Sequence, residues 1–164
     1  MASSEHSFDL VSDFDRQELV NAVDQARREI ATRYDFKDVV AELDLNDKEL
    51  VILAASESRA DAVLDVLKGK LVRRQLSLKI LDPGKPEAAS RGNVRQVVAL
   101  RKGIDEDTAR DLSRRIKAGH AKVQVRIQGL ELRVVSKDKD TLQEVIRELR
   151  ELDLPVPLQF TNYR

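Results

Sequence analysis

There is no cysteine in this chain of 164 residues. That excludes disulfides, thiolate metal sites and cysteine nucleophiles, and it fits a reducing compartment. Histidine is nearly missing: His6 and His120 are the only two, so no multi-histidine metal centre can form within one chain. Aromatics are 4% of the residues and tryptophan is absent, so any core must be aliphatic. No apolar run approaches the roughly 20 residues of a membrane-spanning helix. The opening MASSEHSFDL lacks the basic cluster and long apolar stretch of a signal peptide. A soluble cytoplasmic protein is expected, with no membrane partner and no cofactor.

Signs of catalysis are missing as well. There is no glycine-rich phosphate loop ending in Lys-Ser/Thr and no dinucleotide fingerprint after a strand. A serine-histidine-acid triad would need one of the two histidines. His120 follows Gly119 after a helical stretch and reads as a solvated loop residue. The carboxylate pairs Glu42 with Asp44 and Asp105 with Asp107 are accounted for by solvation and by a helix start. The chain reads as a non-enzyme.

Charge is abundant, at 35% of the residues, and sums to zero. Its distribution along the chain is uneven. Residues 1–82 hold 12 basic and 17 acidic side chains, and residues 83–164 hold 17 and 12. The C-terminal half would attract a phosphate-bearing partner, or the opposite charges help the halves dock.

One pattern occurs twice. A strand at 7–11 precedes a helix capped by Asp15, with Glu18 completing a capping box and Leu19, Val23, Ala26 and Ile30 on one face. A hairpin follows, turning at Asn46–Glu49. A second helix begins near Ser58 with a stripe of Ala60, Val63, Leu64, Leu67 and Leu71, and Leu76–Leu81 reads as a strand. The stretch DPGKPEAASRGN, with two prolines and two glycines, reads as a linker without elements. Then come a strand at 94–100, a helix capped by Asp105 with Ala109, Leu112 and Ile116 inward, a hairpin, and a helix capped by Asp138 with Leu142, Val145, Ile146 and Leu149 inward. LQFTNYR is the last strand. Each half is β-α-β-β-α-β, giving a fold class of α+β, with two ferredoxin-like sandwich domains at 7–82 and 94–164 and a linker at 83–93.

The second hairpin, VQVRIQGLELRVV, carries the candidate site. With its turn at Gln128–Gly129, Ile127 faces Leu130, Val125 faces Leu132 and Val123 faces Val134. The opposite face then sets Arg126 against Glu131, Gln124 against Arg133 and Lys122 against Val135. That face is uncovered when helices lie on one side of a sheet. It is either a solvated face with a cross-strand ion pair or a phosphate-binding surface. The central strands lack the aromatics on which RNA-recognition motifs stack bases. Candidate ligand-binding residues are Lys122, Gln124, Arg126 and Arg133, then Arg101 and Lys102 at a strand-to-helix turn. Lys68, Lys70, Arg73 and Arg74 suit a helix C-terminus. Arg114, Arg115 and Lys117 form a further basic helix face.

Several segments, taken in order, resemble the YajQ family of small bacterial proteins: SFDLVSDFD, RYDFKDV, LDVLKGKLVRR, LRKGIDEDTAR, VQVRIQG and LQFTNYR. The chain departs from that family at Leu130, where an acidic residue is common, and at Val135 and Ser136, where a glycine is common. The resemblance implies two ferredoxin-like domains that exchange their first strands, 7–11 and 94–100. It implies no enzymatic activity, and it implies binding of a nucleotide or cyclic dinucleotide, or of RNA. The expected function is a non-enzymatic nucleotide-binding protein that senses a nucleotide or a cyclic dinucleotide of cyclic di-GMP type, acting as a monomer. The alternative is an RNA-binding (tRNA-like) or protein-interaction adaptor that uses its open sheet faces.

Overall fold

A computed structural model describes residues 5–164. Residues 1–4, part of the stretch read above as carrying no signal peptide, lie outside the described residues. In chain order the elements are β1 (His6–Val11), α1 (Arg16–Thr32), β2 (Ala41–Leu45), β3 (Glu49–Ala54), α2 (Glu57–Arg73), β4 (Leu81–Pro83), β5 (Glu87–Ala88), β6 (Val94–Leu100), α3 (Glu106–Gly119), β7 (Gln124–Gln128), β8 (Glu131–Ser136), α4 (Lys139–Arg150) and β9 (Gln159–Thr161). The architecture is α+β, a pair of ferredoxin-like sandwiches. No helix among the described residues is long and apolar enough to cross a membrane.

The helices form where periodicity places them. Asp15 accepts from the amides of Gln17 and Glu18, Asp105 from Thr108, and Asp138 from Asp140. All four apolar stripes read from the sequence are buried. The second helix starts earlier than expected. Its cap is Ser56, whose hydroxyl accepts from the Arg59 amide at 3.2 Å. A cap must itself be extended, and Ser56 is so, whereas Ser58 already lies inside the helix.

Strands pair antiparallel in two sheets. One has the order β7-β8-β1-β9, the other β2-β3-β6-β4, with β5 continuing along β6. β1, from the N-terminal repeat, is therefore a central strand among strands of the C-terminal repeat. β6, which opens the C-terminal repeat, is central in the other sheet. The two compact units are accordingly 1–13 with 102–164, and 14–101. The chain passes between them at Asp13–Phe14 and again at Arg101–Lys102. Sheet partners, rather than chain order, delimit the units. Each unit has its own core, mainly aliphatic with a few aromatics. Phe8, Leu10, Leu112, Leu132 and Val134 centre the first. Leu19, Leu50, Ile52, Leu67 and Leu71 centre the second.

Two stretches differ from their sequence reading. Leu76–Leu81 alternates like a strand but contains a 3-10 turn at Leu78–Ile80, capped by Ser77. Adjacent Ile80 and Leu81 are both buried while Leu78 is exposed. A strand would send those neighbours to opposite faces, so the turn is needed. The proline- and glycine-rich stretch after it is an interrupted edge strand. Glu87 and Ala88 pair with Arg95 and Val94. Gly84 donates to the Val97 carbonyl at 2.8 Å. Buried Gln96 donates its amide to the Gly84 carbonyl at 2.8 Å. Long-range partners supply the order that local sequence withholds.

This pairing has a direct consequence. A chain of residues 14–101 holds every strand of its own sheet and is expected to give a dispersed amide NMR spectrum and a cooperative unfolding transition. A chain of residues 94–164 lacks the central strand β1 and carries β6 without its partners. It is expected to give the narrow spectrum of an unfolded chain. Cooperative folding of 94–164 alone would contradict the pairing.

Candidate functional site

β7 and β8 form the hairpin that carries Gln124, Arg126 and Arg133, with Lys122 just before it. Its register differs from the expectation. Gln128 pairs with Glu131, Ile127 with Leu132, Arg126 with Arg133, Val125 with Val134 and Gln124 with Val135. The turn residues are thus Gly129 and Leu130. Gly129 has a φ of 61° and Leu130 is not among the residues with positive φ, the pattern of a II′ turn. Both registers keep the same side chains on the same face, so apolar alternation cannot separate them. The turn geometry and the docking of its tip do. Ile104 donates to the Leu130 carbonyl at 2.9 Å. The Leu130 side chain covers Gly103 so closely that a Cβ there would lie 2.7 Å from it, and Gly103 has a φ of 88°. Leu130, where an acidic residue was expected by resemblance, is a packing residue.

The corrected register sets Arg126 opposite Arg133, a repulsive arrangement on its own. Arg133 is held from its other side. Its Nε and one terminal nitrogen donate to the two carboxylate oxygens of Asp9, at 2.9 and 3.3 Å. Asp9 is its directly opposite neighbour on β1. Asn162 donates to the same carboxylate at 2.8 Å. Asp9 is only 3% exposed. The Arg133 guanidinium holds the Asp9 carboxyl below the usual carboxylate range; burial opposes this, and the Asn162 amide adds to the lowering. Sequence alone offered no signal for this pair, because its members are 124 residues apart.

Lys122 and Gln124 line a cavity of about 730 Å³ in the unit 1–13 with 102–164. The start of β7, the end of β8 and the first turn of α4 meet there. Lys137 and Thr141 join the lining, with Val123 and Val135 as an apolar wall. Glu5 and Asp138 also line it. Asp138 is committed to the helix: it accepts from the Asp140 amide at 2.9 Å and from the Thr141 hydroxyl at 3.0 Å, and its carboxyl is held low by those bonds. Buried Ser136 accepts from the Asp138 amide at 3.1 Å. Lys137 was missed in the sequence because it falls in the turn after the hairpin, outside the alternating pattern.

His120 also lines the cavity, which corrects its reading as a solvated loop residue. Its side chain is 11% exposed, with Nε2 at 3.1 Å from the Glu148 carboxylate. It caps α3 through its backbone amide, donated to Ile116, and its ring lies against α4.

The remaining candidates lie elsewhere. Lys102 is 3.5 Å from Asp13. Arg101 belongs to the other unit and pairs with Asp82 at 3.2 Å. Arg126 is exposed, further along β7 than the cavity. The helix cluster read as serving a helix end is also neutralised across helices, Lys70 by Glu29 and Arg74 by Glu18. The charge contrast between chain halves vanishes in the folded units. Counted over 1–13 with 102–164 there are 13 basic and 14 acidic residues, and over 14–101 there are 16 and 15. What remains is local: two ammonium groups and an amide, beside two carboxylates, His120 and the buried Val123 and Val135. No group of three or more His, Asp and Glu residues able to hold a metal ion occurs among the described residues.

A family model described as "Nucleotide-binding protein YajQ-like" matches residues 6–164. A relative from Chloroflexus aurantiacus, named nucleotide-binding protein, is 58% identical over 163 residues, 98% of this chain and 99% of its own. A relative of the same name from Synechococcus elongatus is 56% identical over 158 residues, covering 96% and 97%. One from Picosynechococcus is 50% identical, with 99% of both chains covered.

Two outcomes are expected from this geometry. Asp9 has a lowered folded-state pKa, so its contribution is complete above the unfolded value of about 3.9 and is lost as pH falls through the folded value. Denaturant midpoints of the native chain and Asp9→Asn should differ clearly at neutral pH and converge below about pH 4. A gap that stayed constant into acid would be contrary to the ion pair. Separately, Gly103→Ala should cost about 2 kcal/mol in denaturant titration, since the new Cβ meets both the positive φ and Leu130.

Proposed function

This chain belongs to the YajQ-like family, and from that premise we propose that it binds a nucleotide, without turning it over, in the cavity between Lys122 and Lys137. The observation that carries this is the cavity itself. Its volume of about 730 Å³ lies within the range of roughly 300–1,000 Å³ typical of small-molecule sites. The ammonium groups of Lys122 and Lys137 meet phosphate, Gln124 offers both a donor and an acceptor to a base edge, and Val123 with Val135 gives the base an apolar wall. The names of the relatives support the same class of ligand. A cyclic dinucleotide, with two phosphates to share between two lysines, is the form this pair of lysines suits best. The protein works as a single cytoplasmic chain in this proposal.

Within it, the six candidate residues take different parts. Lys122 and Gln124 touch the ligand. Arg126 adds a positive field along the approach. Arg133 orders the hairpin through Asp9. Lys102 and Arg101 stand outside the cavity. Binding without catalysis is the reading the relatives' names support, and the Asp138 carboxylate, which accepts from the Thr141 hydroxyl, is committed to capping α4. RNA is a weaker candidate, because each unit is nearly neutral and the open sheet faces carry no aromatic for stacking.

Titration calorimetry with mono-, di- and cyclic dinucleotides tests this, with the ligand recovered afterwards by chromatography. At least one should bind and be recovered unchanged. Its affinity should fall roughly tenfold or more in the Lys122→Ala, Lys137→Ala double variant, the scale of two lost charge-assisted bonds. Absent heat with every nucleotide, or an affinity indifferent to both lysines, would overturn it.

A further inference from the structure

The two sheets end in equivalent strands that are finished differently. β2 and β7 are each the outer strand of a hairpin and each an edge of its sheet. An edge strand turns every second residue's N–H and C=O outward. In β2 a side chain meets the middle of that edge. Arg27, from α1, donates its Nε to the Leu43 carbonyl at 2.6 Å and lies 3.5 Å from Asp44. In β7 nothing equivalent occurs among the described residues. Gln128 and Glu131 close a two-residue turn, so that pair exchanges both ladder bonds, as do Arg126–Arg133 and Gln124–Val135. Val125 and Ile127 therefore point their amides and carbonyls to the open edge, where no hydrogen bond meets them.

The side chains along this edge are also unfinished. Ile127 is 45% exposed, on the apolar face beside Val125. On the opposite face Arg126 has its cross-strand neighbour Arg133 engaged by Asp9 and, among the described residues, no carboxylate within ion-pair distance of its own. Lys122 continues that face. An added strand would lay its hydrogen-bonded residues beside Val125 and Ile127 and its alternate residues beside Arg126. Charge and polarity together fix its pattern: apolar residues alternating with acidic ones.

We infer that β7 is a strand-addition site for an extended segment of a partner protein in which apolar and acidic residues alternate. A second copy of this chain fits less well. Antiparallel pairing of two β7 strands about their midpoint sets Arg126 against Arg126. The chain's own segment of the right pattern, Ala41-Glu42-Leu43-Asp44-Leu45, is β2, whose edge Arg27 already meets. The inference uses the strand's outer edge and not the cavity at its start; Arg126 is shared with the nucleotide proposal, and Ile127→Pro, which alters no lining residue, separates the two.

The test uses the full chain, labelled for amide NMR, and a short acetylated peptide alternating valine and glutamate. The same peptide with lysine for glutamate is the control. The glutamate peptide should shift and protect the amides of Val125 and Ile127, and the lysine peptide should not. Ile127→Pro removes only an outward N–H and leaves the β7–β8 ladder intact. It should weaken the glutamate peptide roughly tenfold, and Arg126→Glu should do the same through charge. Shifts confined to other residues, equal binding of both peptides, or indifference to both variants would overturn the inference. So would protection of Val125 and Ile127 without peptide that disappears on dilution, since a second copy would then be the occupant.

Discussion

The buried carboxylate of Asp9 is the constraint on which the rest of the molecule depends. A charged group at 3% exposure persists only with its counter-charge and its hydrogen bonds in place. Arg133 supplies the charge from β8, and Asn162 supplies a further donor from the segment after β9. Asp9 thus ties together three stretches of the first sheet in one register. Asn162 sits at a φ of 53°, which turns its amide to the carboxylate, and the chain beyond it returns to β1, where Ser7 and Arg164 exchange backbone hydrogen bonds. Apolar pairing alone would tolerate β1 slipping by two residues. The ion pair does not.

With β1 held there, the site follows. Glu5, just before β1, is brought to the cavity that Lys122, Gln124 and Lys137 line. The same ion pair fixes β8 and so the hairpin from which Lys122 and Gln124 project. The unit that results is nearly neutral overall, so its charge is a matter of local placement and not of a broad field. The exchange of strands removes the electrostatic contrast that the linear sequence displays, because three acidic residues travel with the N-terminal segment and four basic ones with residues 83–101.

Much of the fold was legible in the sequence. Helical stripes such as Leu64, Leu67 and Leu71 repeat with the helix period, and caps such as Asp105 and Asp138 stand at their starts. These are local signals. What the sequence did not disclose depends on distant partners. The hairpin's register was ambiguous because both turns keep Val125 and Val134 inward. Arg133 read as a ligand contact because its carboxylate lies far away in the chain. His120 read as solvated because α4 comes later. The segment after β4 read as a linker because its order comes from β6 and Gln96. Of the candidate residues, Lys122 and Gln124 line one cavity. Lys137 was not seen, because a turn residue carries no periodic mark.

The central claim is that β1 belongs, energetically, to the strands of the C-terminal repeat, with Asp9 as the reason. Native-state hydrogen exchange in mild denaturant measures this most directly, since amides that open together share one free energy. The amides of β1 should open in the same cooperative step as those of β8, and Asp9→Asn should lower that shared free energy while leaving β3 and β6 unchanged. If β1 opened well before β8, or in step with β3 and β6, the account would be wrong.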